Sequence, residues 1–282
     1  AGLTFLASTV RNLAATATTG DIVDSGVLTI AGTSSFTTSQ NNADIILNNA
    51  NAFTGAVALN TTGSSGNARI DGGTTALTIA TSSVGGFLGL RSGNDITDSG
   101  TVTVGNWLSI LTDANNGAIN FNTLAVDSHM GLKTHGTGSA TVVNDAGFGF
   151  GASGTIVGGN LSVTATTGNI TDHTDWNDNN ITVAGTTTLT TSANNATITL
   201  NDTDHSFTGA VTITTNDNSG TDADVTIDGG TTALILAAST IDGDLTLTSG
   251  HASGITDSGT VTVGGNLAAT TDAANGLINL GT

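Results

Sequence analysis

The sequence predicts an all-β chain wound as a β-solenoid, with about three short strands in each coil of roughly 20–22 residues. Three observations carry that prediction: strand-like segments recur in fixed order, strand and turn formers dominate the composition, and apolar residues alternate at period two. Residues 96–105 read I-T-D-S-G-T-V-T-V-G, and residues 255–264 read the same ten again. Residues 71–77 (D-G-G-T-T-A-L) return at 228–234, and 53–57 (F-T-G-A-V) return at 207–211. Such an array stacks copies of one unit, each too small to bury its own apolar face.

The elements follow from the residue types. The chain of 282 residues holds 39 Gly and no Pro, Cys or Tyr, and all 22 acidic residues are Asp. Asp, Asn and Gly suit tight and left-handed turns. Glu is absent and Lys and Met nearly so, which leaves few helix formers beside abundant Thr and Val. The lack of Pro fits strands hydrogen-bonded along both edges.

Two periods are superimposed. In the longer one Ala31 matches Ala184, Phe53 matches Phe207, Asp71 matches Asp228 and Gly117 matches Gly276. The expected organisation is one continuous solenoid over 1–282, with a long internal repeat at about 12–123 and 160–282 joined by less regular coils at 124–159. The shorter period comes from V/I-x-G-x-L, read at 84–88, 104–108 (with Asn106 for the Gly), 157–161, 241–245 and 263–267. Its closing leucines, Leu88 with Leu108 and Leu245 with Leu267, each bound one interval of the short period. Within the first interval, segments at 88–90, 96–98 and 102–104 alternate between turn residues, so one interval is one coil.

Alternation sends Val102, Val104, Ile198, Leu200, Val211, Ile213, Leu245 and Leu247 inward, with Thr101, Thr103, Thr199, Thr212 and Thr246 outward. At ~21 residues per coil the chain holds roughly 13 coils. The pairs Asn41–Asn42, Asn48–Asn49, Asn115–Asn116, Asn179–Asn180 and Asn194–Asn195 are candidates for stacked amide ladders, or are plain turn residues.

G-G-N-L-S-V-T-A-T-T-G-N-I-T-D at 158–172, I-T-V-A-G-T-T-T-L-T-T at 181–191 and the two F-T-G-A-V segments resemble the repeats of very large bacterial exoproteins related to filamentous haemagglutinin. The resemblance covers nearly the whole chain, with 124–154 the least typical stretch. It implies a single elongated right-handed parallel β-helix on the outside of a bacterial cell, serving as the stalk or body of an adhesin. That family's secretion domain and receptor-binding tip have no counterpart in this sequence.

Charge and composition bound the function. Net charge is −18 with only Arg11, Arg69, Arg91 and Lys133 as fixed cations, which argues against nucleic acid as a partner. No apolar run is long enough for a membrane span. Zero Cys excludes a disulfide scaffold and suits a chain exported to the extracellular face. Residue 1 already reads as repeat sequence and the end stops in mid-pattern, so a slice of a longer chain is expected. One Lys and three scattered Arg give no cluster for a polysaccharide lyase or glycosidase, and the expectation is a non-catalytic protein without a cofactor.

Candidate binding residues lie mainly in an insertion of the second long repeat. Asp172, His173, Asp175, Trp176 and Asp178 combine carboxylates, an imidazole and an aromatic ring in a loop that must bulge, as a Ca²⁺ site or a glycan contact would require. Asp202 and Asp204, with His205, Asp217, Asp222 and Asp224 nearby, form a second acidic zone and further candidate metal ligands. The plain reading of both is solvated turns. His129 and His135, six apart, sit where Met130, Gly131 and Lys133 point to an irregular segment.

The reading is a structural or adhesive segment of a bacterial cell-surface or secreted exoprotein, with a surface glycan or a protein receptor as partner. The alternative is a filament subunit that self-associates end to end through open solenoid ends. Ice or crystal binding through threonine arrays is a third reading. It needs Thr-x-Thr pairs on successive coils, and the pairs read as scattered.

Overall fold

The computed structural model describes residues 1–151, 154–172, 180–216 and 222–281. It is a parallel β-solenoid of about 12 turns, with strands and turns but no helix among those residues. The chain forms two compact units, Ala1–Ser139 and Ala140–Thr282.

In the first unit Leu3–Phe5, Ser8–Val10 and Leu13–Ala17 make one coil of three short strands. One face stacks Leu3–Phe5, Ile22–Asp24, Ile45–Leu47, Ala68–Asp71, Leu88–Ser92, Leu108–Thr112 and His129–Lys133, all parallel. A second begins with Leu13–Ala17, Ser34–Asn41 and Val57–Thr62, and a third holds Ser8–Val10, Leu28–Ile30 and Ala52–Phe53. Leu3, Ile22, Ile45, Ala68, Leu88, Leu108 and Met130 are successive register partners along the first face, one to each coil.

The second unit repeats the scheme. Phe148–Phe150, Ile170–Asp172, Ile198–Leu200, Val225–Asp228, Leu245–Ser249 and Leu267–Thr271 stack on one face. Leu161–Ala165, Thr187–Asn194 and Val211–Asn216 stack on another, and Thr155–Val157, Ile181–Val183 and Ser206–Phe207 on a third. The coils that run from Ile170 to Ile198 and from Ile198 to Val225 are longer than the one from Val225 to Leu245. Coil length is therefore less uniform than the short-period motif implies, because loops absorb the insertions while the strands keep their partners.

The interior is as the alternation predicts. Val102, Val104, Ile198, Leu200, Val211, Ile213, Leu245 and Leu247 are all fully buried. Phe36 is buried between Phe5 and Phe53, edge-on to each ring at 6.2 and 6.4 Å. The segment His129–Lys133 is a regular strand rather than an irregular one: Met130 and Leu132 fill the core and Gly131 occupies an ordinary pleat position.

Threonine is not confined to the outside. Thr38, Thr112 and Thr191 are buried, each at the fifth position of its strand, and each hydroxyl donates to the carbonyl five residues on, Ala43 at 3.0 Å, Gly117 at 2.7 Å and Ala196 at 3.1 Å. Each such corner contains an Asn at positive φ: Asn42 (61°), Asn116 (54°) and Asn195 (60°). Asn42, Asn116 and Asn195 are thus turn residues, and two of their amides bond backbone: Asn42 Oδ1 accepts from Ser65 N and Asn116 Oδ1 from Thr137 N, both at 3.1 Å. Asn179 lies outside the described residues.

The outward threonines are also better ordered than the sequence suggests. In the second unit Thr164, Thr190, Thr214, Thr240 and Thr262 are successive register partners, as are Ser162, Thr188 and Thr212. Unequal loops obscure this in the sequence, since they shift the numbering without shifting the strands.

Thr112 and Thr187 are equally buried but differ in wiring, because Thr187 Oγ1 has no partner among the described residues. Thr112→Val should cost about 1–3 kcal/mol by orphaning the Gly117 carbonyl, whereas Thr187→Val should be neutral or stabilise by ~1 kcal/mol. Denaturant titration of both variants measures the two effects, and destabilisation of equal size would contradict the corner assignment.

Candidate functional site

Asp172 ends the strand Ile170–Asp172, and its carboxylate reaches the following coil. Oδ2 accepts from the backbone N–H of Asn201 at 2.8 Å and of Asp202 at 2.9 Å, and it lies 3.1 Å from His205 Nε2. His205 Nδ1 in turn faces the Ile181 N–H at 3.1 Å. A backbone N–H can only donate, so Nδ1 is the acceptor and the ring proton sits on Nε2, directed at Asp172. Both side chains are buried, at 3% and 0% exposure.

The first unit wires the same place without a histidine. Asp24 accepts from Asn48 N at 3.1 Å, Asn49 N at 3.2 Å and Asn51 Nδ2 at 2.7 Å, and Asn51 Oδ1 accepts from Leu28 N at 2.7 Å. Asp98 binds Thr123 N at 2.8 Å and Thr123 Oγ1 at 2.6 Å. The Asp that closes an I-x-D strand is therefore a clamp on the next turn, and Asp172 is one of these. Asp71 and Asp228 do a local version of the task, accepting from Gly73 N and Gly230 N at 2.8 and 2.7 Å. Those glycines have φ of 58° and 55°, which explains why D-G-G is repeated.

The proposed acidic ligands are not brought into a cation cage by the described residues. Asp172 is engaged as above, Asp202 Oδ1 accepts from Asp204 N at 2.9 Å, and Asp204 is exposed. No group of three His or Asp side chains placed to hold a metal occurs among the described residues. His173, Asp175, Trp176, Asp178 and Asp217 lie outside them. Asp224 Oδ1 accepts from Asp244 N at 2.8 Å, another coil-to-coil clamp. His129 opens a strand and His135 sits in the turn that follows it, where its carbonyl accepts from Gly138 N.

A surface that sequence reasoning missed lies on the first face of the first unit. Residues 67, 87, 107 and 129 fall in line just before, or at the start of, successive strands. There Asn67 still clamps Phe87 N at 2.9 Å, but the next positions carry rings. Phe87 and Trp107 are 4.1 Å apart, and Trp107 and His129 stack at 6.2 Å with 19° between their planes. Arg69 lies 5.1 Å over the Phe87 ring. Arg91 bridges coils, pairing with Asp113 at 2.5 Å and Asp71 at 3.3 Å, and these two carboxylates, Asp113 first, hold its guanidinium even more firmly protonated than usual. A shallow depression of about 230 Å³ opens between Asn48, Arg69, Asp71, Phe87 and Arg91. The signal was in the short-period motif, whose variable position is Phe87 and Trp107 in one long repeat and Asp244 and Asn266 in the other.

Fold and wiring together define a repeat β-solenoid whose coils are clamped by Asp and Asn side chains. Four stretches of the chain, 1–60, 65–132, 137–214 and 222–282, match the family model described as repeats of unknown function (DUF5649), and the chain belongs to that family. Each matched stretch takes in about three coils. No curated protein and no solved structure matches the chain.

Burial works to raise the Asp172 pKa, but the His205 hydrogen bond and the Asp202 and Asn201 amides outweigh it and hold the value below the ordinary 3.8. A lowered folded value means that the clamp contributes fully above pH 3.8 and is lost as pH falls further. Asp172→Asn should therefore be less stable than the native chain near neutrality, with the difference shrinking below pH 3.8. Thermal melts from pH 7 to pH 2.5 measure it; a constant difference across that span would contradict the assignment.

Proposed function

We propose that the chain is a structural and adhesive segment of a bacterial cell-surface or secreted exoprotein, and that it is non-catalytic and works without a cofactor. The observation that supports this best is the division of labour between strand faces. Inward positions are apolar and Asp and Asn side chains fasten coil to coil at the corners, while outward positions carry threonine and a few other side chains. A solenoid of this kind supplies length and stiffness, because every coil is hydrogen-bonded to its neighbours. The resemblance to filamentous-haemagglutinin-type exoproteins supports the extracellular placement, as do the acidic surface and the lack of cysteine. The buried Asp172–His205 pair is engaged by the backbone N–H groups of Ile181, Asn201 and Asp202.

The threonine columns of the second unit favour a second reading, binding to an ice or mineral crystal face, since Ser162 and Thr164, Thr188 and Thr190, and Thr212 and Thr214 occupy successive coils in register. The two readings separate in a single programme on the producing bacterium and the purified chain. Antibody to the chain should label intact cells, external protease should remove the label, and purified protein should show no thermal hysteresis. Label seen only after permeabilisation would contradict the exoprotein reading, and clear hysteresis would favour the crystal-face one.

A further inference from the structure

The two units wire one corner alike except for a single side chain. In the first unit Asn51, 1% exposed, donates from Nδ2 to Asp24 Oδ2 and accepts at Oδ1 from Leu28 N, both at 2.7 Å. In the second, His205, also 1% exposed, donates from Nε2 to Asp172 Oδ2 and accepts at Nδ1 from Ile181 N, both at 3.1 Å. The parts correspond throughout. Asp24 and Asp172 end the strands Ile22–Asp24 and Ile170–Asp172, and Leu28 and Ile181 open Leu28–Ile30 and Ile181–Val183. Asn51 and His205 stand just before Ala52–Phe53 and Ser206–Phe207. Each therefore brackets, from one coil, the end of one strand and the start of the next in the coil before it.

The difference is that an imidazole titrates and a carboxamide does not. Asn51 keeps one donor and one acceptor at every pH, so the Leu28 N–H always has its partner. Neutral His205 offers the same pair, but protonation converts Nδ1 into a second donor. A proton on Nδ1 points at the Ile181 N–H, donor against donor, and that hydrogen bond is lost. At the other nitrogen the change runs the opposite way, because the bond from Nε2 to the Asp172 carboxylate becomes charge-assisted. Acid thus tightens the Asp172 end of the bracket and releases the Ile181 end.

The surroundings do not undo this exchange. Among the described residues the carboxylate on the ring is Asp172. In the turn of His205 itself, Asp202 Oδ1 is given to Asp204 N and Asp204 is exposed; on the following coil Asp228 Oδ1 is given to Gly230 N. The strands Ile181–Val183 and Ser206–Phe207 carry no charged residue, and Phe207 meets the imidazole edge-on at 5.9 Å. With the His205 side chain at 0% exposure, water reaches the freed N–H only if the strand start moves. The register pairs Thr182 with Ser206 and Val183 with Phe207 hold the rest of that strand, so the opening is local.

We propose that His205 is an acid-sensitive latch on the third face of the second unit: its protonation frees the start of Ile181–Val183 from the coil that follows, while Asn51 keeps the same joint of the first unit shut. The proposal concerns regulation within the fold and stands independently of the adhesive reading.

Nuclear magnetic resonance of the full chain tests this, with Leu28 as internal reference. Between about pH 7.5 and 5, where histidine ordinarily changes charge, the His205 ring should pass from the Nε2–H tautomer to the doubly protonated form. The Ile181 amide shift should follow with the same midpoint. Protection of the Ile181 amide against hydrogen exchange, taken relative to Leu28, should fall roughly tenfold over that span, as the loss of one hydrogen bond requires. His205→Asn and His205→Ala should each abolish this pH step, whatever the level of protection they leave. The titration of the native chain decides the matter if a variant fails to fold. A His205 ring that stays neutral to about pH 5, an Ile181 amide indifferent to the ring's titration, or a pH step that survives either substitution would overturn the proposal.

Discussion

Everything in this fold depends on each coil lying in register on the one before it. A three-residue strand such as Ile22–Asp24 has no stability alone, and it persists because Leu3–Phe5 and Ile45–Leu47 hold it from both sides. That register also stacks the core, setting Leu88 on Ala68 and Leu108 on Leu88, so backbone hydrogen bonding and apolar burial are satisfied by one geometric condition. Side chains reinforce it at the corners, where Asp24, Asp98 and Asp172 reach forward to the N–H groups of the next turn. Asp serves here because it is short: its oxygens stay close to the backbone they bind.

The restriction of acidic residues to Asp then has a physical reading. They are spent mainly as acceptors for turn N–H groups, and the acidity of the chain is in part a by-product of how its coils are fastened. The pair His205–Asp172 illustrates the tolerance of such a clamp. Asn51 with Asp24 makes an equivalent set of contacts, so the histidine stands where the first unit has an amide. Where the clamp is dropped altogether, at Phe87 and Trp107, the surface changes character from hydroxyl to aromatic and basic.

Much of the architecture was legible in the sequence because inward and outward residues alternate in most of the strands. The three strands at 88–90, 96–98 and 102–104 correspond to Leu88–Ser92, Ile96–Asp98 and Val102–Val104. Buried threonines were not legible: Thr38 and Thr112 look like the outward threonines beside them, and only the turn that follows decides whether the hydroxyl finds a carbonyl. The threonine columns were hidden for a related reason, since coils of unequal length scramble spacing while preserving partners. The strand His129–Lys133 was masked by Met130 and Gly131, residues weak in strand preference that tertiary stacking overrides. Of the candidate site, Asp172 was singled out as a candidate metal ligand, and its part as a clamp on the next coil shows only in the structure. The aromatic column was missed because its signal is a difference between repeats, and attention to repeats favours what is shared.

The absence of cysteine permits a direct test of register. Thr226 and Thr246 are partners on adjacent coils and both face outward, so the double variant Thr226→Cys/Thr246→Cys places two thiols within disulfide reach. Thr226→Cys/Thr248→Cys moves one thiol two residues along the same strand, which separates the Cα atoms by more than about 7 Å. Mild oxidation should close the first pair rapidly within a monomer and leave the second open. Equal closure of the two, or closure of the second alone, would contradict the stacking on which the account rests.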